Sequence, residues 1–250
     1  MAPFIQSLSQ LAVVGLALMT NVQARPSTTG TDQASAKVPL RLMPLGASIT
    51  FGFRSTDGNG YRQDLRDMLI DDGFEVDMVG SHKGGNMTDP DNEGWSGFRV
   101  DQVKGKAVKS VPKLQPSLFT INAGTNDCAQ NHKLDTVGDR MDDLLEYLWD
   151  TSDDSTIILS TLIINLNTTI EARVKKVNSQ YTALAKKKAA EGKKIILAEM
   201  HGDDGPQPDE MADNTHPNDI GYNKMAKIWY RAIKGAESKG FLTKPNPMGN

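Results

Sequence analysis

The stretch "PLRLMPLGASIT", Pro39 to Thr50, is an apolar run that ends in a turn of small residues. An apolar run bounded by glycine is typical of a strand buried on both faces of a parallel sheet. Ser48 follows this predicted strand after a Gly-Ala pair. In parallel α/β sheets, ligand sites form just past the carboxyl ends of the strands. The stretch is therefore either an ordinary strand-to-loop corner or a strand that presents Ser48 for chemistry.

Further along the chain, predicted helices and strands alternate. Four more strands are predicted, in segments 74–80, 117–124, 155–163 and 193–200. Helices are predicted in segments 61–73, 100–108, 134–150, 169–192 and 218–240. This alternation is typical of parallel sheets with helices on both faces. We therefore predict one α/β domain, a three-layer α/β/α sandwich with a five-stranded parallel sheet and flavodoxin-like topology.

The first residues do not fit this alternating pattern. Residues 1–24 contain a short uncharged apolar run followed by small residues, and we expect a secretory signal peptide, although no Lys or Arg precedes the run. Residues 25–37 are polar and predict a flexible leader, so the folded domain should span 38–250. Secretion is then the expected localisation. The triplets that start at Asn86 and Asn167 fit the N-glycosylation pattern of a secreted chain.

Composition limits the partners that we expect. The 250 residues carry a formal net charge of -3, which gives no reason to expect nucleic acid as a partner. Cys128 is the single cysteine, so an internal disulfide is impossible and stability depends on an ordinary core. The apolar run near the start is too short for a membrane span, and we expect no stable membrane association. We expect a monomer.

A serine hydroxyl becomes a good nucleophile only when a base removes its proton. That base is usually a histidine held in one tautomer by a carboxylate. The segment "DNTH" places Asp213 three residues before His216, close enough in a tight turn for the carboxylate to reach the imidazole. His201 also has acidic neighbours, but its segment offers no comparably fixed position. His216 is therefore the favoured base for Ser48.

Acyl transfer also requires donors for the oxyanion that develops on the carbonyl oxygen. The backbone N–H of Ser48 is one candidate donor, and the side-chain amide of Asn126 in "GTND" is another. Gly97 in "EGWSGFR" offers a third, because glycine lets the backbone come close to a ligand. We expect Asp127 to brace this loop.

Four segments together, "GASIT", "GWSGFR", "GTND" and "DNTHPNDIGYNKMA", resemble the conserved blocks of the SGNH hydrolases, also called the GDSL esterase family. The resemblance implies the SGNH hydrolase fold and ester hydrolysis without a cofactor. It also implies that Ser48 is the nucleophile, His216 the base and Asp213 its orienting acid. Gly97 and Asn126 would complete the oxyanion hole with the N–H of Ser48.

The resemblance extends from Leu42 to Arg231, with Ala47 in place of the family's usual aspartate. Within the family, "EGWSG", "GYR" and "HPNDIGYNKMA" look most similar to secreted carbohydrate esterases of family three, the acetyl xylan esterase type. This narrower likeness implies an acetylated plant cell-wall polysaccharide, such as xylan, or a small ester as substrate. By the same likeness, Trp95 and Tyr61 would face the sugar.

Three alternatives remain open. A lipase or lysophospholipase would use the same site but prefer long acyl chains. A non-catalytic carbohydrate-binding protein would have no need of the Asp213–His216 pair. A metal-dependent hydrolase would use a different set of side chains, namely His201, Asp203, Asp204, Asp209 and Glu210.

Overall fold

The computed structural model describes residues 37–249. Within this range, helices cover both faces of a predominantly parallel sheet, so the predicted three-layer α/β/α class is confirmed. The predicted signal peptide 1–24 and all but the last residue of the predicted leader 25–37 lie outside the described residues.

The sheet of the described residues has seven strands, two more than the five predicted. The strands are β1 (Leu40–Gly46), β2 (Val76–Met78), β3 (His82–Lys83), β4 (Asp91–Gly94), β5 (Leu118–Asn122), β6 (Thr156–Ser160) and β7 (Ile195–Ala198). Their order is β3-β4-β1-β5-β6-β7, and β2 also pairs with β1. Only β3 is antiparallel to its neighbour among these pairings.

The two strands that sequence analysis missed, β3 and β4, are short and polar. The residues of β4 read "DNEG", which has neither the apolar alternation nor the β-branched residues of a typical strand. Strands β2 and β4 follow one another along the same edge of β1, where β2 pairs with Leu40–Leu42 and β4 with Leu45 and Gly46. One side of β1 is therefore paired with two separate segments, and the second one ends at the carboxyl rim.

The helices agree with the predicted positions, with one extension and two additions. They are α1 (Ser48–Phe51), α2 (Arg62–Asp71), α3 (Val100–Leu114), α4 (Thr125–Ala129), α5 (Val137–Thr151), α6 (Thr168–Ala190) and α7 (Asp219–Ser238), with 3₁₀ turns at Leu134–Thr136 and Pro208–Glu210. None of the helices described is both long and apolar enough to cross a membrane. The short helices α1 and α4 directly follow strands β1 and β5.

Helix α3 continues past its predicted end and contains Pro112 in its last turn. Proline has no N–H to donate to the carbonyl four residues earlier, which is that of Val108. The Tyr147 hydroxyl of α5 donates to this carbonyl instead, at 3.4 Å. A neighbouring helix thus replaces part of the bonding that the proline removes.

Apolar residues of the sheet alternate between two buried clusters, one on each face. In β1, Leu40 and Leu42 belong to the cluster under α2 and α7, whereas Met43 and Leu45 belong to the cluster under α3, α5 and α6. Trp229 of α7 is completely buried in the first of these clusters. The alternation along one strand fixes which helices cover each face.

After α7, the chain crosses the end of the sheet where the parallel strands begin. Arg41 at the start of β1 donates to the carbonyl of Asn246 at 2.8 Å. Thr156 at the start of β6 donates to the carbonyl of Phe241 at 2.7 Å. Gly249 N–H donates to Lys113 O at 3.0 Å. This carboxyl-terminal tail therefore lies at the end of the sheet opposite the carboxyl rim.

Candidate active site

The ends of three adjacent strands bring the candidate residues to one rim. Gly46 at the end of β1 is paired with Gly94 of β4 on one side and with Asn122 of β5 on the other. The loops that leave these strands carry Ser48, Gly97 and Asn126. Because the strand ends are in register, residues that are distant in sequence emerge side by side.

Ser48 is the first residue of α1, directly after the corner that ends β1. A Cβ atom at Gly46 would lie 2.2 Å from the carbonyl oxygen of Asn122 and 2.3 Å from the hydroxyl of Thr50. No real side chain could occupy that space, so this corner requires glycine. Ala47, which replaces the usual aspartate, makes no side-chain cap bond to the helix and is buried.

His216 and Asp213 share a tight turn that immediately precedes α7. The turn is closed by a bridge between Met211 and Pro217 and by a bond from Ala212 N–H to the His216 carbonyl at 2.8 Å. The adjacent helix starts at a fixed point, because the side chain of Asn218 caps it by accepting from the Gly221 N–H at 3.1 Å. The turn therefore gives the imidazole a rigid position.

The imidazole joins the serine to the carboxylate. Its Nε2 lies 2.9 Å from the hydroxyl oxygen of Ser48, and its Nδ1 lies 3.0 Å from both carboxylate oxygens of Asp213. The side chain of His216 is 15% exposed, so a ligand can still reach it. In this arrangement Nδ1 carries the proton and donates to the carboxylate, which leaves Nε2 free to accept the serine proton.

Asp213 is held in its ionised form. Partial burial alone would raise its pKa, but backbone N–H groups of Thr215 and His216 and the imidazole itself lower the pKa to about 2. Both backbone donors bond to the same carboxylate oxygen at 2.8 Å, and Arg54 donates to the other at 3.2 Å. The carboxylate is therefore anionic at any pH at which the fold is expected to function.

Gly97 lies in a turn beside the serine corner. Trp95 N–H donates to the carbonyl of Gly46 at 3.0 Å, and Phe98 N–H closes the turn onto the Trp95 carbonyl at 3.1 Å. Gly97 has a φ of +82°, which other residues rarely adopt, and a Cβ there would have no atom within 4 Å. Backbone conformation, rather than space, thus favours glycine at this position.

The side chain of Asn126 points toward the same turn. Its amide nitrogen donates one hydrogen to the carbonyl of Phe98 at 3.0 Å, which leaves the second hydrogen for a ligand. The buried carboxylate of Asp127 accepts from Val100 N–H at 3.1 Å and from Arg140 at 2.5 Å. Asp127 therefore joins α4 to the start of α3, as its predicted bracing role requires.

The two residues predicted to face the sugar differ in exposure, because Tyr61 is buried and Trp95 is partly exposed. Tyr61 is completely buried, because it precedes α2 and packs against Trp229 of α7, so its predicted contact with the sugar is wrong. The Trp95 ring lies 3.9 Å from the His82 ring and beneath the Lys106 ammonium, which is 3.4 Å from its centroid. Its indole N–H also donates to Glu93 at 2.8 Å, and its predicted contact with the sugar stays a prediction.

Two residues beside the triad were not recognised in the sequence. The Phe53 ring lies 4.8 Å from the His216 ring and is 43% exposed, and Arg54 donates to Asp213. The stretch "GFRST", residues 52–56, places one aromatic residue in an otherwise polar loop, and this is the only sequence signal that could have indicated Phe53. Their position depends on contacts with α7 and with the turn that precedes it, more than 150 residues away in sequence.

The residues of the metal-site alternative do not converge. His201 pairs with Glu171 at 2.7 Å, Asp204 with Arg231 at 2.8 Å, and Glu210 with Lys224 at 2.8 Å. Between residues 37 and 249, no three His, Cys, Asp or Glu side chains form a group that could hold a metal ion.

Both predicted glycosylation asparagines are exposed. Asn86 uses its amide oxygen to accept from Asn59 at 2.8 Å, and Asn167 caps α6 by accepting from two backbone N–H groups. Glycosylation at these sites stays a prediction.

The strand order, together with the loops that meet at the carboxyl rim of the sheet, defines an SGNH hydrolase fold. The chain belongs to the GDSL-like Lipase/Acylhydrolase family, whose model matches residues 42–229. The resemblance stated from the sequence blocks is therefore confirmed at the family level.

Named relatives agree with this family. A multidomain esterase of Ruminococcus flavefaciens is 29% identical, over 90% of this chain, and the chain spans only 31% of that relative's length. The fold is similar to that of a Clostridium thermocellum family 3 carbohydrate esterase, with 24% identity, a TM-score of 0.72, and coverage of 80% of this chain and 98% of that one. A family 3 carbohydrate esterase from Talaromyces cellulolyticus gives 21% identity, a TM-score of 0.70, and coverage of 80% and 99%.

Proposed function

We propose that the protein is a serine esterase that hydrolyses short-chain esters, above all acetyl esters, through an acyl-enzyme intermediate. The observation that carries the proposal is the continuous array from Ser48 through His216 to Asp213, with the serine oxygen 2.9 Å from the imidazole. A hydroxyl at hydrogen-bond distance from a base that is itself oriented by a carboxylate has the geometry of an activated nucleophile.

In the proposed first half-reaction, the Ser48 oxygen bonds to the ester carbonyl carbon while His216 Nε2 takes the hydroxyl proton. The carbonyl oxygen becomes an oxyanion, which accepts from the N–H groups of Ser48 and Gly97 and from the Asn126 amide. The bond to the alcohol oxygen then breaks, and His216 gives its proton to the leaving alcohol. An acyl-serine remains, and no cofactor takes part.

In the second half-reaction, water attacks the acyl-serine while His216 Nε2 accepts a proton from it. The oxyanion forms again in the same position, and the bond to the serine oxygen breaks. His216 returns the proton to Ser48, and the carboxylic acid leaves. The ionised Asp213 stabilises the imidazolium that forms in each half-reaction.

We propose acetylated plant cell-wall polysaccharide, such as xylan, as the substrate class. Support comes from the sequence blocks that resemble family-three carbohydrate esterases and from the fold neighbours named as members of that family. The alternative on the same site is a lipase or lysophospholipase. A series of esters with one alcohol and acyl chains of increasing length separates the two, because a lipase should prefer the long chains.

We also propose that the chain is secreted and acts outside the cell, on the basis of the apolar run within residues 1–24. Expression of the full chain with a secretion-competent host tests this directly. Amino-terminal sequencing of protein from the medium should start after Ala24. The proposal would be contradicted if the protein were found only in the cell-associated fraction, with residues 1–24 still attached.

The test of the enzymatic proposal is acetate release from acetylated xylan, pectin and chitin oligomers by the wild type and by Ser48→Ala. We expect Ser48→Ala to lose at least about 10⁴-fold in kcat, because the nucleophile is absent, while its unfolding midpoint stays close to that of the wild type. Ser179→Ala, which removes an exposed hydroxyl from α6, is the matched control and should keep wild-type turnover. Wild-type turnover in Ser48→Ala would show that another group is the nucleophile.

A further inference from the structure

Phe53 is an exposed aromatic side chain in direct contact with the proposed base. Its ring meets the His216 imidazole edge-on, with centroids 4.8 Å apart and planes inclined by 63°. The side chain is 43% exposed, although a phenylalanine gains free energy when it is buried. A single exposed apolar residue is ordinary on a protein surface, but this one borders the reacting atoms.

The segment that carries Phe53 is held in one conformation by α7. The buried Tyr222 hydroxyl donates to the Phe53 carbonyl at 2.7 Å, and both the N–H and the hydroxyl of Thr56 donate to Asp219 at 2.9 Å. Arg54, which lies between the two anchored residues, has a φ of +74°, a conformation that costs of order 1 kcal/mol for a non-glycine residue. Such strain persists only where surrounding contacts fix the backbone, and here they fix the ring against His216.

The proposed reaction determines which part of the substrate meets this ring. The carbonyl oxygen is directed to the donors of Ser48, Gly97 and Asn126, on the side of the β4 and β5 loops. The alcohol oxygen must lie at Nε2 of His216, because it receives its proton there. Phe53 contacts the imidazole, so it lies beside the alcohol portion rather than beside the oxyanion.

The surroundings of the ring favour a sugar over an alkyl group. The face of an aromatic ring is electron-rich and attracts the weakly positive C–H groups of a pyranose. The Arg54 guanidinium lies over the Phe53 ring, 5.2 Å from its centroid, is 56% exposed and bonds to Asp213, so a polar donor adjoins a ring that is still 43% exposed. A hydroxyl-bearing ring can use both features, whereas an alkyl chain would remove water from Arg54 without replacing its hydrogen bonds.

We propose that Phe53, flanked by Arg54, forms a binding subsite for the sugar ring of the ester's alcohol portion. The proposal rests on the proposed function and identifies which side chain distinguishes a carbohydrate ester from a simple one. Phe53 acts on substrate binding, and the loss of its ring should chiefly raise KM for carbohydrate esters.

The test compares kcat/KM for acetylated xylotriose with kcat/KM for methyl acetate, an ester that has no sugar. We expect the ratio of the two to fall about tenfold in Phe53→Ala, a loss equivalent to about 1.4 kcal/mol. In Phe53→Leu the ratio should fall almost as far, because leucine keeps apolar area but has no aromatic face. Phe53→Trp should retain it.

Ile70→Ala is the matched control, since Ile70 is an apolar residue of α2 with a similar exposed fraction of 40%. It should leave the ratio unchanged. A wild-type ratio in Phe53→Ala or in Phe53→Leu would overturn the proposed subsite. So would a loss that grows with acyl-chain length in esters of one alcohol, because the ring would then contact the acyl group.

Failure of the proposed function would be visible before any variant is compared. A wild-type enzyme that hydrolyses methyl acetate but not acetylated xylotriose would overturn the carbohydrate substrate class and the subsite with it. A wild-type enzyme inactive on both esters would overturn esterase activity itself. Thermal unfolding midpoints of the Phe53 variants, compared with that of the wild type, confirm that each ratio refers to folded protein.

Discussion

At the scale of single residues, Asp213 determines which nitrogen of His216 carries the proton. In Asp213→Asn, the amide oxygen should replace the carboxylate oxygen that accepts from two backbone N–H groups. The NH₂ group must then face Nδ1 and donate to it, which moves the imidazole proton to Nε2. Nε2 can no longer accept from Ser48, so we expect kcat to fall by roughly 10³–10⁴-fold.

Steady-state kinetics on methyl acetate measure this loss, with Asp203→Asn, in an exposed loop, as the control for charge removal. The control should be as active as the wild type. If Asp213→Asn kept more than a tenth of wild-type kcat, the carboxylate would not orient the base, and the proposed mechanism would need another acid.

The sequence predicted some of these residues and not others, for physical reasons. Ser48 and His216 could be placed together because each follows or precedes a recognisable element and parallel strands end on one rim. Phe53 could not, because its position depends on the positive φ of Arg54 and on bonds to α7. Tyr61 was predicted to face the sugar, but α7 covers it. The residues next to Tyr61 in sequence give no indication of this burial, because it comes from a distant helix.

At the scale of elements, Lys188 joins helices α5 and α6. Its side chain is 6% exposed, and its ammonium lies 2.6 Å from both Asp142 and Glu146 and 3.1 Å from Glu191. Burial alone would lower the pKa of Lys188, but these carboxylates raise it well above its ordinary value. The ammonium in turn lowers the pKa of Glu146, and it lowers that of Asp142 against the effect of partial burial.

We expect Lys188→Met to reduce the free energy of unfolding by about 1–3 kcal/mol at pH 7, because partly buried carboxylates lose their partner. Carboxylates with a lowered pKa stabilise the fold fully above their ordinary pKa, and this stabilisation is lost as the pH falls through the lowered one. The difference between variant and wild type should therefore shrink toward pH 3.

Urea unfolding at pH 7 and pH 3 measures both parts of this prediction. Lys187→Met is the matched control, because Lys187 also pairs with Asp142 but is 58% exposed, and its effect should stay below about 0.5 kcal/mol. A difference for Lys188→Met that is equally large at both pH values would mean that lost packing, rather than charge, causes it.

The long elements were predictable from sequence because each buries a continuous apolar face. Strand β4 was not, since its residues Asn92, Glu93 and Gly94 are buried by what surrounds them and not by their own hydrophobicity. The end of α3 was placed too early, at residue 108, and the structure continues the helix through Pro112, a residue that is unfavourable in a helix interior. The Tyr147 hydroxyl, which compensates for it, belongs to another helix.

At the scale of the whole molecule, Cys128 reports on cooperative unfolding. It is the single thiol of the chain and is completely buried in α4, where burial raises its pKa to about 12. We expect a thiol reagent at pH 8 to label the native protein at least about 10³-fold more slowly than the urea-unfolded chain. The labelling rate should rise with urea at the slope of global unfolding.

A labelling rate that does not depend on urea would contradict this prediction. It would show that α4 opens locally, and the position of Asn126 would then fluctuate as well. The overall architecture itself was predictable, because alternating strands and helices allow few arrangements. The two additional strands at the edge leave the order of the predicted strands intact.

The path of the carboxyl-terminal tail has a practical consequence for how the molecule can be mounted. Residues 241–249 cross the end of the sheet where the parallel strands begin, and the reactive rim is at the opposite end. A molecule coupled to a bead or a resin through this tail would turn its serine outward. It would then approach an insoluble fibre with that rim first.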